Sequence, residues 1–435
     1  MALRNELLVK GTESFARGEM ESLILHDGAV ELDSAAGKRL PMGSYSTPET
    51  AMPAFCNLSV SWNADLPKGT LLEVEARVLV GSNWSGWFSF GKWSTYYPRR
   101  SENNPAGPGD EVFLIGDNLT VTAPGGATGV QLRAQLYSDG EKQTPRLWLL
   151  AASVRPLHWE KETGLPVNRK VYLAGYSVTG RDPRFMGSRS LPLALAGIVN
   201  RYGLDILPEE LAYAMCDHRT ADCRNAAYAA AAVGSCGHPC WQVWADLARL
   251  RRELYQGFAL AVEVERRDPA TGKPGHVWMG LSGFDYDESV HADSVELVDP
   301  NRPSDSETAC TMALEDFARI FTGRAILVRS RPHGVWGQLP DRQRCGLKAQ
   351  GTAGEYLFTI RGEVSPLDDD FAGWIACAVQ DKAAHPTTAH RSFQRLEKTP
   401  YGGIRLPANL LTPGIRFSVY AVDQTGAMRV AELRL

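Results

Sequence analysis

174-AGYSVTGRDPRFMGSRSLPLALAGIVNRYG-203 decides how the chain is read. An extended lead-in passes through a Gly-containing loop into an apolar helix. Pro192 sits in the first turn, Ser190 or Leu191 stands at the N-cap, and Gly203 is the stop signal. Serine before a Pro-containing first turn is a good cap, because its hydroxyl accepts from the free amides there. The same position, at the mouth of a helix, is also where a nucleophile could be held.

Downstream, helix signals continue over 208-PEELAYAMC-216, 225-NAAYAAAAVG-234 and 242-QVWADLARLRRELYQG-257. In the last of these Val243, Leu247, Leu250 and Leu254 recur at helical spacing. Strands are predicted at 258–264, 276–284 and 294–298, then a helix at 313–323 and a strand at 325–329. Helices followed by a mostly antiparallel sheet make an α+β layout. Upstream the period is two: in 70-TLLEVEARVLVG-81, Leu72, Val74, Ala76, Val78 and Val80 share a face. The stretches 130-VQLRAQLYS-138 and 146-RLWLLAASV-154 repeat the pattern, and Gly/Pro-rich turns separate them. No helix is expected before about residue 160, and a jelly-roll-type β-sandwich is. Past the linker 331-RPHGVWGQLPDRQRCG-346, alternation returns in 355–364, 415–422 and 428–435.

The expected organisation is multidomain. An all-β sandwich spans residues 1–162, an α+β domain 163–335, and a small C-terminal β-sandwich 343–435. A chain of 435 residues is long enough for several cores. Net charge is −4 with both signs scattered, which excludes a nucleic-acid groove or a polybasic membrane anchor. The longest apolar runs are strand-length, so no membrane span is expected. No secretory leader is visible, which fits either a cytoplasmic protein or the trimmed form of a secreted one.

Three elements of the middle region can converge on a site: the helix mouth at Ser190, His276 at the start of a strand (274-PGHVWMGLSGFD-285), and Asp299 at the end of the next (295-VELVDPN-301). Neighbouring antiparallel strands can set His276 beside Asp299, which would fix the imidazole's tautomer and turn its free nitrogen toward a nucleophile.

These residues carry a resemblance. The chain resembles papain-like cysteine peptidases of the bacteriocin-processing type, in particular bacterial members with an N-terminal β-sandwich. The resemblance runs through most of residues 1–332 and includes 61-SWNADLPKGT-70 and 84-WSGWFSFGKWS-94. The family's Tyr-Ser-Gln is matched by Tyr176, Ser177 and Val178. Its Cys-Ser-Pro-Thr-Ser is matched by Ser190, Leu191, Pro192, Leu193 and Ala194. Its Gly-His is Gly275–His276 and its Asn/Asp-Pro is Asp299–Pro300.

The resemblance implies a papain-like central domain in which Ser190 holds the nucleophile position, His276 the base, Asp299 the orienter and Val178 the oxyanion position. Of these four positions His276 and Asp299 match the family, and the two that depart, Ser190 and Val178, do so in their chemistry. A serine hydroxyl does not ionise at a helix N-terminus as a thiol does. Valine cannot donate to an oxyanion, and losing one such donor typically costs about 10²–10³ in rate. A degenerate, peptide- or peptidoglycan-binding pseudopeptidase is therefore expected, with a glycan as a further candidate ligand of the N-terminal sandwich. Two alternatives stand beside it. One is an active hydrolase running on Ser190, His276 and Asp299, or an engineered Cys-to-Ser form of a cysteine peptidase. The other is a purely structural or adhesive protein.

No cofactor and no metal are expected. Cys236, His238 and Cys240 lie close in sequence, with Cys216, His218 and Cys223 nearby, but the spacing is not that of a zinc site. The eight cysteines read as mostly reduced thiols. Trp84, Trp87 and Trp93 are read as packing in or over the sandwich; the alternative is that they stack on sugar rings. The acidic run 367–371 and His385 and His390 read as solvated loop residues.

Overall fold

The structure is a computed structural model. It describes residues 4–330 except 68, 95–96, 180–189, 204–205, 207, 221 and 268–273, and the backbone strands of 343–434. The linker 331–342, the loop before the Ser190 helix, most of the acidic run, and His385 and His390 lie outside the described residues.

Residues 4–156 form one large, strongly curled sheet that is nearly closed on itself. Its long strands are β1 (Thr50–Asp65), β2 (Thr70–Val80), β3 (Phe88–Trp93), β4 (Asn118–Val121), β5 (Ala127–Ser138) and β6 (Arg146–Pro156). β5 pairs with β2 over most of its length and β6 with β1, all antiparallel. The period-two residues Leu72, Val74, Ala76 and Val78 are buried, as are Val130, Leu132, Ala134 and Leu136. One departure from expectation is a single helical turn, Thr12–Phe15. Phe15 on that turn is fully buried against Tyr45, so burial of one aromatic ring sets its place.

The middle region has α1 (Ser190–Arg201), α2 (Pro208–Ala214) and α3 (Ala226–Ser235), then strand β7 (Cys240–Trp244) and α4 (Leu247–Tyr255). The strands β8 (Leu260–Arg267), β9 (Pro274–Asp287), β10 (Ala292–Val298) and β11 (Ala309–Ala313), α5 (Leu314–Ile320) and β12 (Phe321–Val328) follow. The strands make one antiparallel sheet in the order β7-β12-β8-β9-β10-β11. The single helix expected from 242 is instead a strand and a helix. Asp246 divides them, because its carboxylate accepts the Arg249 N–H at 2.8 Å and caps α4. Cys240, Val243 and their neighbours are buried on both faces, and an apolar run of that length does not distinguish strand from helix.

The sandwich and the middle region share one apolar core running from Val9 to Val328. Every residue of α3 is buried, and α3 packs against β1. Its small alanines let that sheet come close. Asn63 of β1 is the clearest joint. Its amide donates to Cys240 O at 2.8 Å and Ala230 O at 3.2 Å, and its Oδ1 accepts the Cys240 N–H at 2.9 Å. Gly234 passes so near that an added Cβ would lie 2.5 Å from the Asn63 amide nitrogen. Tyr228 of α3 meets Trp62 edge-on and Trp93 at a tilt. Trp93 is thus a core residue. Trp84 and Trp87 stay at the surface with the Arg77 guanidinium over both rings and Arg133 over Trp87.

Among the described residues no helix is long and apolar enough to cross a membrane. The described strands of the C-terminal part form a five-stranded and a three-stranded sheet, closed by the antiparallel hairpin Arg416–Asp423 with Met428–Arg434.

Candidate functional site

β9 carries the geometry. Residues opposite each other in an antiparallel ladder share a face. Glu265 lies opposite His276 and Glu263 opposite Trp278, so these four share one face. Val264 opposite Val277 and Arg266 opposite Gly275 fall on the other, with Met279.

On the first face, His276 Nδ1 lies 3.6 Å from Glu263 Oε2. Thr322 donates its hydroxyl to the same oxygen at 3.0 Å, and Arg324 reaches the other at 3.3 Å. Burial pushes the Glu263 carboxyl up, but Arg324, His276 and Thr322 together hold it below its usual value. The Glu263 carboxylate in turn raises His276 above the ordinary imidazole value, against the opposing effect of burial. The imidazole is still 59% exposed. It opens on a cavity of about 310 Å³ shared with Asn57, Asn118 and Arg155 of the sandwich.

Asp299 sits on the second face, just past the last β10 rung, Val298 opposite Gly280. It is buried, and its carboxylate accepts from Arg266 Nη1 at 2.8 Å and from the Asn301 N–H at 2.9 Å, with Arg302 Nε at 3.7 Å. The expected imidazole–carboxylate pair therefore forms with a different acid. The sheet itself lies between His276 and Asp299, because a one-residue step along a strand reverses the face.

Ser190 opens α1 and is buried. β10 stops at Val298, so the edge of β9 is open beyond Gly280. Ser190 Oγ fills that edge and accepts the Trp278 N–H at 2.9 Å. The hydroxyl extends the sheet's ladder, while the His276 ring leans away across β8 to Glu263. Val178 donates its backbone N–H to Pro300 O at 2.8 Å, and its side chain packs on Ala174, Tyr176, Leu193 and Ala196. Of the four positions singled out in the sequence, the structure joins Val178 to the Asp299–Pro300 turn and Ser190 to the β9 backbone. Among the described residues neither Ser190 nor Asp299 makes a hydrogen bond or ion pair with the His276 ring, whose acidic neighbour is Glu263.

Among the described residues no group of three His, Cys, Asp or Glu side chains could hold a metal. Cys236 donates to Ala232 O, and His238 meets Arg329 O at 3.1 Å while stacking on Tyr202. Burial raises the Cys216 thiol to about 11 and the Cys223 thiol to about 12, which makes both inert.

Sequence reasoning missed Glu263 as the partner of His276, and missed the arginines behind Asp299. Only the second carried a signal in the sequence: Arg266, Arg267 and Arg302 flank the two strand ends, whereas the contact of Glu263 with Thr322 and Arg324 depends on the packing of two strands about sixty residues apart.

Residues 7–154 match the family described as "Peptidase C39 N-terminal domain". This match, over roughly a third of the chain, relates the protein to C39-type peptidases through its sandwich. No curated protein matches the chain. Among solved structures, the potassium-bound carbohydrate recognition domain of Emp46p matches with 10% identity. It covers 35% of this chain and 95% of its own, with a TM-score of 0.21. The FN1–FN3 domains of chicken CNTN1 match with 8% identity over 88% of this chain and 100% of their own, with a TM-score of 0.15. Scores this low give no ground for assigning a fold or a ligand.

Proposed function

We propose that this protein is a C39-related pseudopeptidase, which binds a peptide or peptidoglycan-like ligand without cleaving it. One observation carries the reading: Ser190 Oγ accepts the Trp278 N–H and makes no hydrogen bond to His276, whose ring is paired with Glu263 instead. A serine nucleophile needs its base within hydrogen-bond reach, and the base needs an orienter. Val178 adds nothing for an oxyanion, since its side chain is apolar and its N–H is already given to Pro300. The sandwich serves this protein as a wall of the shared core. A glycan ligand there is the weaker part of the proposal, because guanidinium groups lie over the faces of Trp84 and Trp87. The hydrolase reading draws on the retained His276 and Asp299 with Ser190 at the nucleophile position, and the purely structural reading on the continuous core.

The test is incubation with a serine-reactive fluorophosphonate and a mixed peptide library. No labelling at Ser190 and no new peptide termini are expected. Labelling at Ser190, with turnover lost in His276→Ala, sinks the reading. The Ser190→Cys variant sharpens it. Its thiol should react with iodoacetamide no faster at pH 7 than an ordinary buried thiol. A thiolate already formed at neutral pH would show that an imidazole reaches position 190.

A further inference from the structure

We propose that the second face of the central sheet holds a carboxylate-binding cleft, which takes a short apolar peptide segment bearing a free carboxylate. The proposal rests on the reading of the protein as a non-cleaving peptide binder, and it names the site and the chemistry of the ligand.

A cleft of about 520 Å³ opens beside Asp299, within the usual range for ligand pockets of roughly 300–1,000 Å³. Its floor is apolar, made by Val264, Met279, Met312 and Ile320. Its polar lining is lopsided: Arg266, Arg302 and Arg319 against Asp299, while Arg267 and Glu265, which alternation assigns to the first face, border it with one charge of each sign. Arg319 is partly spent on Asp316 and Glu315 of its own helix. Arg266 and Arg302 are different. Both are anchored by the one buried carboxylate of Asp299, at 2.8 and 3.7 Å, yet remain 44% and 48% exposed. Two guanidinium groups share one acid, so a positive charge remains, held in place and facing solvent over apolar ground. Guanidinium forks match carboxylates in shape and charge, and anchoring removes part of the ordering cost of binding. Asp299 therefore acts as a positioning residue for two arginines. The floor would receive the ligand's aliphatic side chains.

The experiment uses the full chain and N-terminally labelled tetrapeptide pools of apolar residues, prepared as free acids, as C-terminal amides, and as amides with one internal glutamate. Binding is read by fluorescence anisotropy at low and high salt. Free-acid or glutamate pools should bind, and neutral amides at least tenfold more weakly. The pool that binds tells a chain terminus from an acidic side chain. Arg302→Gln leaves Asp299 its Arg266 partner and should weaken binding roughly tenfold or more, the size of one charge-assisted hydrogen bond. Met312→Trp, which fills the cleft without touching a charge, should abolish binding at an unchanged melting temperature. Equal binding of acid and amide pools, or no binding by either, overturns the proposal. Cleavage of a bound peptide would overturn the pseudopeptidase reading and leave the cleft standing.

Discussion

His276 shows how one residue step can redirect a site. The sequence places it correctly at the head of a strand, and even predicts an acid beside it. Which acid depends on face parity across β8 and β9, and parity follows from register, which no local pattern encodes. Glu263 wins because Arg324 and Thr322 make its burial tolerable. The consequence for pH is definite in sign. The folded-state value of His276 is raised, so the pair stabilises fully below the unfolded imidazole's 6.5 and loses that contribution as pH rises through the folded value. The ring is more than half exposed, so the stability effect is small, but its titration is directly observable. The His276 ring proton, followed by NMR, should titrate above 6.5 in the parent and fall toward that value in Glu263→Gln. Equal midpoints in the two proteins would show that the contact is not made in solution.

At the scale of elements, most boundaries were legible because alternation and capping agree. The alternation over 70–81, 130–138 and 276–284 and the alanine run at 225–234 marked elements that the structure has at 70–80, 127–138, 274–287 and 226–235. The exception, at β7, is instructive. Val243 and Leu247 fit a helical stripe, yet the segment from Cys240 is drawn into the sheet edge by β12 and by Asn63 from the sandwich. Asn63 lies 177 residues away in sequence from Cys240, so only tertiary structure could reveal it. Replacing Asn63 with leucine should therefore cost several kcal/mol. It leaves the Cys240 N–H and C=O unpaired, at about 1–3 kcal/mol for each buried group, while the Ala230 C=O keeps its place in the helical ladder. Urea denaturation measures this directly. A loss under 1 kcal/mol would mean that water replaces the amide there.

At the scale of the whole molecule, sandwich and α+β region read as separate domains in sequence, because the change from period two to period 3.6 falls near residue 160. Sequence periodicity reports which elements form and carries no information on what covers their apolar faces. In the structure the cover is mutual: α3 and β7 lie on β1 and β6, inside one core. Residues 1–162 produced alone should expose that face, bind a hydrophobic dye and yield quickly to protease. Residues 1–330 should do neither. A stable, dye-silent 1–162 fragment would show that the sandwich closes its core without help.

Arg324 carries this union into electrostatics. Its guanidinium, 15% exposed, meets Asp117 of the sandwich at 2.6 Å, the Gln242 amide oxygen at 2.8 Å and Glu263 at 3.3 Å. Asp117 also accepts the Ala226 N–H at the start of α3. Tilting either half against the other would strand a cation where little water can follow, along with the acids that neutralise it. The two halves are thus keyed like a lock whose bolt is a single ion. Among the described residues, bending at this seam would have to break that ion cluster before the two halves could part.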